Sequence, residues 1–201
     1  MVTDFIKLKS GSDIRGTASE GVKGMEVELT DEVIQKITGA FALYISEKLN
    51  KSPENITVSV GNDSRISGGR INARVVGTLT ACGINVINCS LISTPAMFMT
   101  TLEHTLNCDA AVMITASHHP FNKNGLKFFT KSGGLESSDI EQILQLASQG
   151  KSLPNAASGN VCNKNFIDDY SKILRDKIIS ACGADKPFSG FKIIVDAGNG
   201  A

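Results

Sequence analysis

The sequence predicts an α/β fold: a three-layer α/β/α sandwich around a mostly parallel mixed sheet, followed by the beginning of a second α/β unit. Three observations carry this expectation. Segments with apolar residues at helical spacing alternate with short runs rich in β-branched residues. One such run, Ala110 to Thr115, is almost wholly apolar, as suits a central strand covered on both faces. After a polar linker at 152–160, helix and strand patterns start afresh and end in a glycine turn.

Each element has a local reason. Thr30 can cap a helix whose first turn holds Asp31 and Glu32, where negative charge suits the dipole. Ile34, Ile37, Phe41, Ile45 and Leu49 then recur at helical spacing. Ile56, Val58 and Val60 alternate as a strand, with Gly61 as its expected end. A second helix is predicted from about Arg70, burying Ile71, Val75, Leu79 and Cys82 and stopping at Gly83. Ile84 to Ile87 reads as a short strand, and Thr94-Pro95 as a helix start with Thr94 as the cap. The gap between Thr115 and the next strand, Leu126 to Phe129, is too short for a crossover helix, so one strand should run antiparallel. Ser138 and Glu141 form an expected capping box, and Gly150 closes that helix. Beyond the linker, Phe166, Tyr170, Ile173, Leu174 and Ile178 mark a helix, Phe191 to Val195 a strand, and Asp196 to Ala201 a turn. The expected organisation is a first domain at 1–151, the linker at 152–160, and an incomplete second domain at 161–201.

Composition narrows the function. Twenty basic residues balance twenty acidic ones across 201 residues, which argues against nucleic acid or an anionic membrane as the main partner. No apolar run approaches the roughly 20 residues that span a bilayer. Five scattered cysteines without a Cys-x-x-Cys pair read as reduced thiols of a cytoplasmic protein. Nucleotide motifs fail: Gly150-Lys151-Ser152 follows a helix and has Gln145 where a phosphate loop needs glycine. Gly198-x-Gly200 alone is a weak dinucleotide signal. Ser117 lacks the flanking glycines of a hydrolase elbow, and His118-His119 lack companion metal ligands.

The stretch Thr115-Ala116-Ser117-His118-His119-Pro120-Phe121-Asn122-Lys123-Asn124-Gly125-Leu126-Lys127 is the most informative. It follows the predicted central strand, whose carboxyl end is where ligands collect in such sheets. Two imidazoles and two lysines lie within ten residues of the Ser117 hydroxyl, a setting for an anionic group on that oxygen. On composition alone, a polar surface loop remains the other reading.

The same stretch closely resembles the active-site serine loop of the α-D-phosphohexomutases, the phosphoglucomutases and phosphomannomutases, usually Thr-Ala-Ser-His-Asn-Pro. Further segments resemble family motifs in order: Ser12-Asp13-Ile14-Arg15-Gly16, Gly61-Asn62-Asp63-Ser64-Arg65-Ile66-Ser67-Gly68, and Val195-Asp196-Ala197-Gly198-Asn199-Gly200-Ala201. His119 stands where asparagine is usual, and Asn62 where arginine is usual. The resemblance implies that Ser117 carries a phosphoryl group, passing it to a hexose phosphate and recovering another from the bisphosphorylated sugar. It implies that Lys127 and His118 take part in proton transfer or substrate contact, that Arg15 faces the same site, and that Asp63 and Arg65 buttress the serine loop. Ser117 is also the implied ligand of a magnesium ion whose aspartate cluster has no counterpart here. The expected partner is a small-molecule hexose phosphate, with hexose 1,6-bisphosphate as activator and intermediate. The chain alone is expected to be inactive. A competing expectation is a non-catalytic α/β module that holds a phosphorylated ligand near Arg15 and Lys127.

Overall fold

The structure, a computed structural model, describes residues 4–198. The chain opens with a 3-10 turn at Phe5–Leu8, then β1 (Lys9–Ser10) and β2 (Asp13–Thr17). There follow α1 (Asp31–Leu49), β3 (Thr57–Asn62), α2 (Gly68–Ala81), β4 (Asn85–Leu91), α3 (Thr94–Met99) and β5 (Ala110–Ile114). Next come β6 (Lys123–Thr130), β7 (Gly133–Gly134), α4 (Ser137–Ser148), β8 (Val161–Asn163) and α5 (Phe166–Cys182).

The strands form one mixed sheet in the order β1-β2-β6-β5-β3-β4-β8, with β7 paired to β6. Strands β5, β3, β4 and β8 are mutually parallel, whereas β6 is antiparallel to both β5 and β2. The expected antiparallel strand is therefore β6, reached through the short serine-bearing loop. Strand β5 is buried at every position and its side chains divide between two cores. Ala110, Val112 and Ile114 join Val58, Val60 and Phe128 beneath α1, α2 and α4. Ala111 and Met113 join Phe129, Met97 and Phe166 on the face covered by α3 and α5. Phe41 of α1 stacks on Phe128 with centroids 4.4 Å apart, worth about 1 kcal/mol beyond the area buried.

Several boundaries differ from the sequence-based expectation. Gly61 does not end its strand: β3 continues to Asn62 through a register shift against β4 between Val60 and Gly61. Glycine is needed there because a Cβ would collide with Ile92. The cap of α3 is Ser93, one residue before Thr94, and its hydroxyl accepts from the Ala96 N–H at 3.4 Å. The start of α4 also lies earlier than Ser138. The Asp139 carboxylate accepts the Glu136 N–H at 2.8 Å, and Glu141 instead pairs with Lys9 at 2.7 Å.

The larger differences lie after the linker. Val161–Asn163 adds a parallel strand beside β4, and Phe166 at the start of α5 is buried in the α3-side core. Residues 161–166 are thereby tied to the first sheet. Phe191 to Val195 is not a strand here, and Phe191, Ile193, Ile194 and Val195 are exposed. A strand requires a hydrogen-bonded neighbour, and none pairs with this segment among the described residues. The turn after it is visible in part: Gly198 donates its N–H to the Asp196 carboxylate at 2.9 Å. Asn199, Gly200 and Ala201, the rest of that motif, lie outside the described residues.

Candidate active site

Parallel register places Asn62 at the end of β3 beside Ile114 at the end of β5. The segments Asp63–Arg65 and Thr115–Ser117 therefore leave the sheet side by side at its carboxyl edge. They are laced together at once. Asp63 N–H donates to the Ile114 carbonyl at 3.1 Å, and the Thr115 hydroxyl donates to the Asp63 carboxylate at 2.7 Å. The same hydroxyl accepts the Ser117 N–H at 2.9 Å.

Arg65 closes the arrangement. One terminal nitrogen donates to the carbonyls of Ser117 at 2.6 Å and His119 at 2.7 Å. The other donates to those of Pro120 at 2.8 Å and Lys123 at 3.0 Å. Its Nε lies 3.3 Å from the Asp63 carboxylate, an ion pair without hydrogen-bond alignment. A single planar guanidinium thus gathers four loop carbonyls. That restraint has a purpose at Ser117, whose backbone is left-handed at φ 54. Such a conformation costs a non-glycine residue roughly 1–2 kcal/mol, so the loop needs outside contacts to hold it. The outcome is an exposed Ser117 side chain on a fixed backbone.

His118 and His119 both stand beside this serine. The Ser117 hydroxyl lies 3.3 Å from His118 Nδ1, and the two imidazoles stack with centroids 5.2 Å apart. Partial desolvation, and then the nearby charge of Arg15, Arg65 and Lys123, push His119 below the ordinary imidazole value. His119 is therefore neutral at pH 7 and retains one donor and one acceptor.

The two lysines of the stretch have separate fates. Lys123 reaches to Thr17 Oγ1 at 2.9 Å and to Glu28 at 3.4 Å, tying the loop to β2 and the segment before α1. Lys127 Nζ donates to Asp13 Oδ1 at 2.7 Å, while the other oxygen of Asp13 accepts from Arg15 at 2.7 Å. Asp13 is nearly buried, at 8% exposure. Gly125 makes room for this cluster. A Cβ there would meet the Ile14 carbonyl, Arg15 Cγ at 2.9 Å and the Thr115 carbonyl at 3.0 Å. Beside it, buried Asn124 donates to Ser67 Oγ at 2.9 Å and fastens β6 to the start of α2.

Ser117 and His118 are thus joined directly, and Arg15 and Lys127 are joined through Asp13. In the sequence Asp13 stands out only as part of the Ser12-Asp13-Ile14-Arg15-Gly16 segment. Its place beside Lys127 follows from the antiparallel register that sets Ile14 against Leu126. A small apolar cavity of about 330 Å³ lies next to Lys127, lined also by Phe98 and Phe129. The larger cavity, about 540 Å³, lies between α1, α2 and the linker and includes none of these residues. Among the described residues no three His, Cys, Asp or Glu side chains gather to hold a metal. Asp13 and Asp63 are each already engaged by two partners. No described helix is long and apolar enough to cross a membrane.

The chain is thus an α/β/α protein with an exposed serine on a loop clasped at the carboxyl edge of its parallel strands. Residues 7–153 match the family model described as phosphoglucomutase/phosphomannomutase, alpha/beta/alpha domain I. The chain belongs to the phosphoglucomutase/phosphomannomutase family. Among curated relatives, the phosphoglucosamine mutase of Ruminiclostridium cellulolyticum is 31% identical over 193 residues, covering 91% of this chain and 40% of the relative. That of Clostridium botulinum strain Hall is 33% identical over 187 residues, with the same coverage of 91% and 40%. The chain therefore spans about 40% of the length of the curated relatives it matches. The fold is shared with a phosphoglucomutase/phosphomannomutase family protein from Burkholderia thailandensis. That likeness has a TM-score of 0.71 at 20% identity and covers 88% of this chain and 36% of the other. Parafusin, a phosphoglucomutase from Paramecium in its open form, gives a TM-score of 0.63 at 18% identity, covering 85% and 34%.

Proposed function

We propose that this chain is the phosphoryl-carrying portion of a phosphohexose mutase, with Ser117 as the carrier. The observation that supports this most is the held geometry of Ser117. Its backbone is left-handed, Arg65 and Thr115 grip the loop, and the side chain is exposed. Such positioning converts a bimolecular transfer into an intramolecular one.

In the proposed cycle, an oxygen of a bound hexose phosphate bonds to the phosphorus on Ser117 as the P–O bond to Ser117 breaks. The attacking sugar hydroxyl gives its proton to a basic group in the site, and Ser117 Oγ takes up a proton as it leaves. After the bisphosphorylated sugar turns over, its other phosphoryl group passes to Ser117 Oγ, which gives up its proton, and the vacated sugar oxygen takes one up. The sum is interconversion of 1-phosphate and 6-phosphate, one difficult exchange divided into two transfers. A separation of 3.3 Å from the Ser117 hydroxyl supports His118 as the group that exchanges its proton. Lys127 and Arg15 supply positive charge against the roughly −1.5 to −2 that a phosphoserine carries. Magnesium, when bound, would add further charge compensation at the phosphoserine oxygens, with Ser117 as this chain's contribution. Hexose 1,6-bisphosphate serves as the activator that loads Ser117. The relatives named above are phosphoglucosamine mutases, which favours an amino-sugar phosphate among the hexose phosphates.

Labelling tests the proposal. Phosphate-labelled hexose 1,6-bisphosphate should transfer its label to Ser117 of the full-length protein, and Ser117→Ala should abolish incorporation. Reversible binding of the sugar without incorporation would instead establish the non-catalytic module. The 201-residue chain by itself should show no turnover, since it spans 40% of its relatives' length. Turnover by that chain would refute this part.

A further inference from the structure

Resting on the phosphoryl-transfer reading, we propose that Asp13 is a positioning residue of this site, acting through Lys127 and Arg15. Its two carboxylate oxygens are divided between the two cations, each at 2.7 Å. The Asp13 side chain is 11% exposed, against 25% for Lys127 and 20% for Arg15. An aspartate so enclosed, with both cations at its oxygens, fixes where their charges lie.

The backbone explains why one carboxylate meets both. Asp13 and Arg15 are two apart on β2, so their side chains leave the same face of the sheet. Antiparallel pairing of Ile14 with Leu126 brings Lys127 alongside Asp13 and sets Gly125 against Arg15. Because Gly125 lacks a side chain, Arg15 lies across that position, beside the carbonyl of Thr115 at the base of the serine loop. The cations keep unused donors: Lys127 gives Asp13 one of its three, and Arg15 engages Asp13 through only one terminal nitrogen of its guanidinium.

The consequence is chemical. Freed of Asp13, two mobile cations would close on the phosphoserine in the ground state and hold it there. Held by Asp13, they stay at a fixed spacing, with spare donors for charge that moves between serine and sugar during transfer. Interactions that strengthen only during transfer raise turnover, whereas equal strengthening of the ground state does not. Asp13 therefore sets kcat and leaves sugar binding largely untouched.

The test is Asp13→Asn, which keeps size and removes charge, in the full-length enzyme. The expected result is a fall in kcat of about tenfold or more with KM changed less than about threefold. The phosphoserine should also persist longer after chase with unlabelled hexose phosphate. A kcat within about twofold of wild type overturns the proposal, as does a parallel loss in which KM rises as far as kcat falls. A wild-type enzyme without mutase activity would instead count against the parent reading. A measurement on the unsubstituted protein guards against a variant that fails to fold. Lys127 should acylate with an amine-reactive ester at least about fivefold more slowly than exposed Lys186, read by peptide mass spectrometry. Equal rates would show that Asp13 does not hold Lys127, and the proposal would fall.

Discussion

Arg65 Nη2 lies 2.6 Å from the carbonyl oxygen of Ser117, so of the four loop carbonyls it holds, the one most closely held belongs to the residue with the left-handed backbone. The contact joins the end of β3 to the end of β5 and makes the serine loop a braced structure.

Arg65→Lys keeps the charge but replaces a planar fork by a single nitrogen, which cannot reach four carbonyls. We expect about 2–3 kcal/mol less stability towards urea and at least about tenfold slower phosphoryl loading of Ser117. Unchanged loading, with stability within about 0.5 kcal/mol of wild type, would mean that the loop holds itself.

Gly125→Ala should be among the more damaging small substitutions. Its methyl group would press on the Ile14 and Thr115 carbonyls, and backbone cannot move aside as a flexible side chain can. A loss of about 2–3 kcal/mol is expected. Gly133→Ala, in open space but at φ +123, separates the two causes, because any loss there comes from backbone conformation alone. A loss under about 0.5 kcal/mol at Gly125 would argue against crowding there.

The cysteines should divide by burial. Burial, with Cys108 nearby, raises the Cys89 thiol to about 12. Burial raises Cys108 to about 11 although the Ser59 hydroxyl acts the other way. At pH 8 such thiols are almost wholly protonated and unreactive. Of the five free cysteines, exposed Cys162 and Cys182 should alkylate quickly in the native protein, and the buried three only after denaturation. Rapid native modification of Cys89 would contradict the packing of the α3-side core.

His119 supplies a pH signature. Its folded value is lowered, so between that value and the unfolded value of 6.5 the unfolded chain binds the proton more readily. The contribution of His119 to stability is complete above pH 6.5 and declines as pH falls through the depressed folded value. His119→Asn should flatten the acid side of the stability profile, and NMR titration should place the His119 midpoint below 6.5. Phosphorylation of Ser117 should move that midpoint upward, since a dianion favours the imidazolium. A midpoint at or above 6.5 in the unphosphorylated protein would show that neither desolvation nor the nearby cations lower it.

Local chemistry made much of this molecule legible. Thr30 as a helix cap, the two-face burial of Ala110 to Ile114 and the antiparallel return at Leu126 all follow from hydrogen-bond satisfaction and side-chain period, which act over a few residues. The serine loop stood out for the same reason, because Ser117, its imidazoles and Pro120 are neighbours in the chain. Local pattern misleads where a partner from far along the chain decides the outcome. Gly61 looked like a strand end, yet Ile92 requires it inside one, and Glu141 looked like part of a cap, yet Lys9 takes it. The exposed Phe191 to Val195 has strand composition without a paired neighbour among the described residues.

By itself the sequence determined the layered α/β class, the serine loop and its kinship. Tertiary structure decided how the loop is held and which charges meet. Arg65 reaches carbonyls 52 to 58 residues away, and Asp13 meets Lys127 across 114 residues. Short-range periodicity carries no record of strand order, and strand order is what brings those groups within hydrogen-bonding distance.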